Sequence, residues 1–198
     1  MRLRHLFALA LIAVPTLVGP LRAEYDPIFD FIPLGGRSLL AQVLEGKPPA
    51  ADVRALLSAR HSRDQWVEEL KARAKAIPAL QALEERELLT LADYLAFNMP
   101  LPTARIPADL ARADWKTLLP RDGRDLALEY CQSCHIITVT ITQDRSREHW
   151  LGTMNKPSHV EIKLTPRERE ALASYLVLNA GIPIDQVPVD LRAGGASY

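Results

Sequence analysis

Cysteine is nearly absent: the 198 residues hold two, Cys131 and Cys134. With no second cysteine pair, the usual four-ligand zinc site cannot be assembled from thiolates. Charge of one sign is also missing. Lys plus Arg number 24 and Asp plus Glu 24, and because the two signs are interspersed along the chain, no basic stripe for nucleic acid forms. Long apolar runs are lacking beyond the amino terminus, so no later segment can cross a membrane as a helix. No nucleophilic or acid/base constellation stands out that would point to substrate chemistry.

The amino terminus has a definite pattern. Met1, Arg2, Arg4 and His5 form a basic start, Leu6 to Gly19 is apolar apart from Pro15 and Thr16, and Leu21-Arg22-Ala23 leads into Glu24. This reads as a secretory signal peptide over residues 1–23, cut after Ala23, with Leu21 departing from the small-residue rule before the cut. An uncleaved anchor is the alternative, but the run falls short of the ~20 residues that span a bilayer. Removing Arg2, Arg4 and Arg22 from the 24 basic residues leaves 21 against 24 acidic ones, a formal charge of −3 for an exported, periplasmic chain.

Both cysteines lie in Cys131-Gln132-Ser133-Cys134-His135. Two thiols at this spacing followed at once by an imidazole is the pattern of c-type haem attachment. Each thiol can add across one vinyl group of a haem, and the adjoining imidazole then stands under the iron. A thioredoxin-like redox pair wants a strand-helix setting that the surroundings do not offer. A structural disulfide between the two leaves His135 without a role.

The chain also echoes itself. Gly36-Arg37-Ser38-Leu39 parallels Gly123-Arg124-Asp125-Leu126, Ser62-Arg63-Asp64-Gln65-Trp66 parallels Ser146-Arg147-Glu148-His149-Trp150, and Leu91 to Asn98 parallels Leu172 to Asn179. The order is kept while the offset drifts from 87 to 84 to 81 residues, as small insertions or deletions in two loops would produce. Projected back by the first offset, Cys131, Cys134 and His135 fall on Leu44, Lys47 and Pro48, which cannot hold a haem. The expected organisation is a signal peptide (1–23), a haem-free helical domain (24–100) that is either a degenerate copy or an unrelated extension, a linker (101–119), a haem domain (120–185) and a tail (186–198). The fold class is all-α. In the second half a helix runs from Asp122 or Gly123 to about Cys134, another from Arg147 to about Lys156, and a third from a Thr165-Pro166-Arg167-Glu168 start to about Asn179. Leu172, Tyr175, Leu176 and Asn179 share a face of the last helix, which packs on the helix before the motif. The β-branched run Ile136 to Thr142 reads as extended.

Gly123-Arg124, the Cys131–His135 motif, Arg147 with Trp150, Leu164-Thr165 with Glu168, and Tyr175-Leu176 together resemble the small monohaem domains of the class I cytochrome c family. They are also similar to the haem-binding subunits and domains of periplasmic quinohaemoprotein dehydrogenases. The resemblance spans about residues 120–185 and implies one covalent haem c, thioether-linked to Cys131 and Cys134, with His135 as proximal iron ligand. It places Gly123 and Tyr175 where the first and last helices cross. A methionine from the C-terminal side usually supplies the sixth ligand. Met154 is the one available after His135, three residues before the family's usual place, where this chain has Pro157. His159 is the alternative ligand, His149 a weaker one, and an open sixth position a third possibility. The family commonly fixes its proximal imidazole on the carbonyl of a downstream proline; no proline follows His135 nearby, so another carbonyl must serve. Arg145, Arg147 and Lys156 are candidate partners for haem propionates.

The expectation is an electron carrier and not an enzyme: a periplasmic c-type cytochrome passing single electrons between a dehydrogenase donor and a downstream cytochrome or oxidase. The alternative is a haem-based sensor or peroxidase-like protein with an open sixth iron position.

Overall fold

The computed structural model describes residues 27–133, 135–159 and 161–192. The signal-peptide expectation, Cys134 and the end of the tail lie outside them. The described residues form helices and 3-10 turns with no strand among them, in line with an all-α chain. In chain order the helices are α1 (Gly36–Glu45), α2 (Ala50–Ser58), α3 (Arg63–Ala74), α4 (Pro78–Gln81), α5 (Glu85–Asn98), α6 (Trp115–Leu118), α7 (Gly123–Tyr130), α8 (Thr138–Ile141), α9 (Arg147–Met154) and α10 (Pro166–Asn179).

Local chemistry sets the starts. The Ser62 hydroxyl accepts from the Gln65 amide to open α3, and the Ser146 hydroxyl accepts from the His149 amide to open α9. Thr165 and Glu168 form a reciprocal capping box ahead of Pro166 in α10, as the sequence predicts. Gly181, at φ +78°, then turns the chain in the left-handed region that glycine tolerates. The helix before the motif is shorter than expected: α7 stops at Tyr130 and Cys131–Ser133 is a 3-10 turn.

The segment expected to be extended is a correction. Thr138–Ile141 is helical, because Ile137 and Ile141 meet the core one turn apart and are both essentially inaccessible. Burial at helical spacing outweighs the β-propensity of the run. The Thr142 hydroxyl, donating to the Thr138 carbonyl at 2.7 Å, satisfies the turn from its own side chain.

Two apolar cores organise the molecule. The first gathers Leu39, Leu40, Leu57, Trp66, Leu70, Leu91 and Leu95 from α1 to α5; the second gathers Leu126, Ile137, Trp150, Met154, Leu172 and Tyr175 from α7 to α10. Each core is completed by the segment that leads into the other half. Ile32, with Phe29 and Phe31, packs on the second core, whereas Trp115 and Leu119 are buried in the first. The stretch expected as a linker (101–119) therefore contributes core residues, Leu101 included, and the tail contributes Val187.

The seam between the halves is reciprocal. Tyr94 donates to the Pro120 carbonyl at 2.8 Å, and Tyr175 donates to the Pro33 carbonyl at 2.6 Å. Arg37 donates to the Lys116 carbonyl at 3.2 Å, and Arg124 to the Phe29 carbonyl at 2.9 Å. Each donor reaches across to the other half's lead segment, the pattern of a twofold, self-complementary contact. Helices α5 and α10 pack together here, with the Asn179 amide donating to the Thr90 hydroxyl at 3.0 Å in the buried seam.

Two glycines let helices cross closely. A Cβ on Gly36 would lie 2.1 Å from the Tyr94 Cβ, and one on Gly123 would lie 2.2 Å from the Tyr175 Cβ. Only glycine fits at either crossing. Gly35 has no side chain to cap α1, and the Asp122 carboxylate takes that place. It accepts from the Arg37 amide at 2.8 Å while capping its own helix through the Asp125 amide at 2.9 Å. One carboxylate thus caps a helix in each half.

Candidate functional site

The end of α7 delivers Cys131 to the edge of the second core. Cys131, in the 3-10 turn, is a free thiol, partly buried, packed against that core. Burial pushes the thiol up, and a hydrogen bond with the Thr140 side chain only partly opposes it. The motif's turn is tied locally: Ser133 donates to the Tyr130 carbonyl at 2.7 Å and Gln132 to the Leu128 carbonyl at 2.9 Å. His135 is exposed, its Nδ1 3.4 Å from the Ile136 carbonyl, so its orientation rests on a neighbour and not on a downstream proline.

The candidate sixth ligands part company. Met154 closes α9 and is 7% exposed, inside the core that Cys131 borders. His159 sits in a 3-10 turn, Pro157–His159, half-buried, with Nδ1 3.2 Å from the Ser158 hydroxyl. His149 is exposed and engaged by Ser146. Met154 is therefore the one of the three already facing the interior, at the end of a helix whose Trp150 is buried in the same core.

Of the propionate candidates, Arg147 pairs with Glu170, and Arg145 donates to the Thr153 hydroxyl at 2.9 Å while lying over the Trp150 ring. Lys156 is exposed. The indole N–H of Trp150 is buried without a hydrogen-bond partner, and so is that of Trp66 in the first half. Because both halves share it, this unmet donor belongs to the common architecture and does not single out the motif.

The two halves do differ elsewhere. At the positions parallel to Cys131 and Met154 stand Leu44 and Leu70, 3% and 0% exposed, each filling the first core. A shallow cleft of about 230 Å³ between Gly46–Pro49 and Ala76–Ala79 is what lies beside the position parallel to the motif.

The donor set of the second half suits a covalently held haem: a free thiol at the core's edge, an accessible imidazole four residues on, and a thioether within that core.

A residue that sequence reasoning passed over is Arg169, on α10. It donates from Nη1 to the Met154 carbonyl at 2.5 Å and from Nη2 to the Ile162 carbonyl at 3.1 Å. The signal was present: the parallel position in the first half is Leu88, so an arginine marks a change of role. Asp122 carried a similar signal through its counterpart Gly35. No protein-family model, curated protein or solved structure matches the chain.

Proposed function

We propose that the chain is an exported c-type cytochrome that carries single electrons through one covalent haem c in its second half. In this reading the first half is a degenerate copy of the same domain that has lost the haem. The observation that carries it is the Cys131–His135 motif at the border of a core containing Met154, set beside a first half with Leu44, Lys47, Pro48 and Leu70 in the parallel places. The paired glycine–tyrosine crossings, the serine-capped tryptophan helices and the reciprocal seam support descent of both halves from one helical unit.

Cys131 and Cys134 would hold the group through thioethers, and His135 and Met154 would bind its iron, with His159 as the alternative to Met154. Bound there, haem would supply a one-electron iron couple, its potential raised by thioether ligation. The chain's own contribution is positional. The turn at Cys131–Ser133 is braced by Tyr130 and Leu128, α8 walls the site with Ile137 and Ile141, and the core around Trp150 keeps water from the methionine side.

The partners fitting this reading are a periplasmic dehydrogenase as donor and a downstream cytochrome or oxidase as acceptor. A redox titration of the exported protein tests it. One reversible one-electron wave, with no carbon monoxide binding by the reduced protein, is expected. Ready carbon monoxide binding would move the assignment to a sensor or peroxidase-like protein with an open sixth position.

A further inference from the structure

We infer that Arg169 is a positioning residue for the sixth iron ligand: a clamp that holds both ends of the loop following α9 and so keeps Met154, and not His159, turned into the core. The inference rests on the haem reading above.

Met154 is the last residue of α9, and carbonyls in a helix's last turn have no partner within the helix. The Arg169 guanidinium donates to this one at 2.5 Å. A cation here is also favourably placed against the negative end of the helix. The other arm of the same planar group donates to the Ile162 carbonyl at 3.1 Å, which also receives the Leu164 amide at 2.7 Å. Among the described residues of this loop, the Lys156 amide is bonded to the Thr153 carbonyl, the His159 amide to the Lys156 carbonyl and the Ile162 amide to the His159 carbonyl. One guanidinium therefore closes the loop that contains His159 and fixes the residue before it. The platform is rigid, because Leu172, one turn along α10 from Arg169, is 2% exposed in the core that holds Met154.

The first half is an internal control. Where the second half has Met154 and Arg169, the first has Leu70, wholly buried, and Leu88, packed against the first core. The half without the attachment residues dispenses with both the thioether and the clamp, although it keeps the tryptophan, serine cap, glycine and tyrosine. A lysine cannot replace the arginine, since it offers a point charge and not a fork that spans two carbonyls.

The test compares Arg169→Leu and Arg169→Lys with the wild type as full-length, exported proteins. Two readouts are used: the long-wavelength absorption band of sulfur-ligated ferric haem, and hydrogen exchange of the amides over 155–162. In R169L the band should fall by at least half and the loop exchange rise about tenfold, since charge-assisted bonds to two carbonyls are lost. R169K should be intermediate, and a haem-stained denaturing gel should be unchanged in both. An unchanged band with unchanged exchange in R169L overturns the clamp. A wild type that carries haem but shows no sulfur band overturns the positioning of Met154, with the exchange measurement still deciding whether the loop is held. A wild type with no haem refutes the parent reading instead.

Discussion

The two halves share their scaffold and part at the positions a haem would need. Gly36 and Gly123 meet Tyr94 and Tyr175 at matching distances, Trp66 and Trp150 are buried on serine-capped helices, and Asn98 and Asn179 both donate back to the tyrosine carbonyl of their own helix. Against that, Leu44, Pro48, Leu70 and Leu88 stand where the second half has Cys131, His135, Met154 and Arg169. The helix crossings are set by shape, so they persist with or without a cofactor. In the proposed reading Cys131 and Met154 would serve one chemistry, and Leu44 and Leu70 fill the parallel places in the first core. Filling is required, because an unfilled apolar cavity costs roughly 24 cal/mol per Å³.

The comparison breaks most visibly at the motif. Replacing Cys131 and Cys134 together by alanine should abolish stable haem attachment, seen as loss of haem staining after denaturation, whereas Leu44→Ala should leave attachment intact and lower unfolding stability by about 2–5 kcal/mol. Exchanging the interior pair sharpens it next. Met154→Leu, which installs the first half's residue, should cost under about 1.5 kcal/mol in urea unfolding because volume is conserved. The same change should remove the sulfur signature of the ferric spectrum. Leu70→Ala should cost about 2–5 kcal/mol, with no spectral change.

The crossings test whether the scaffolds are equivalent. Gly36→Ala and Gly123→Ala should each destabilise by about 1–3 kcal/mol, through overpacking against a tyrosine. A large cost at only one of the two would show that the halves are not built alike.

The smallest effect concerns the seam's carboxylates. Burial first, and then the charge of Asp122, push the Asp125 carboxyl up to about 7, with the Arg37 guanidinium, 2.5 Å away, working the other way. Tyr94, across the seam, and Tyr175, in the same half, both feel the charge of this pair. A carboxyl raised above its unfolded value of about 3.9 binds its proton more tightly in the folded chain, so this group favours folding increasingly as pH falls from about 7 to about 4. That gain is lost as pH rises through 7. Urea midpoints measured at pH 5 and pH 7.5 should show it, and Asp122→Asn should flatten the difference by removing the charge.

Much of the candidate site was legible because its residues carry their chemistry in their order. Cys131 to His135 is contiguous, Thr165-Pro166-Arg167-Glu168 announces a helix start, and the crossing at Gly123 and Tyr175 was implied by the family resemblance. What the sequence concealed depends on partners far away in the chain. The β-branched Thr138–Ile141 turned helical because the core wanted Ile137 and Ile141 one turn apart. Arg169 clamps carbonyls, which have no sequence signature of their own. The double cap of Asp122 arises from Gly35, a position whose missing side chain is informative only once the two halves are seen face to face. The exchange of lead segments was hidden for the same reason: Ile32 and Leu119 look like ordinary apolar residues until each is found in the other half's core.

The most direct measurement is the intact mass of the exported, mature protein, taken after denaturation and after removal of free haem. A single covalent haem should remain on each chain of the wild type, and none on the double variant Cys131→Ala, Cys134→Ala. A wild-type chain with the bare polypeptide mass and no visible absorption would contradict the proposal outright.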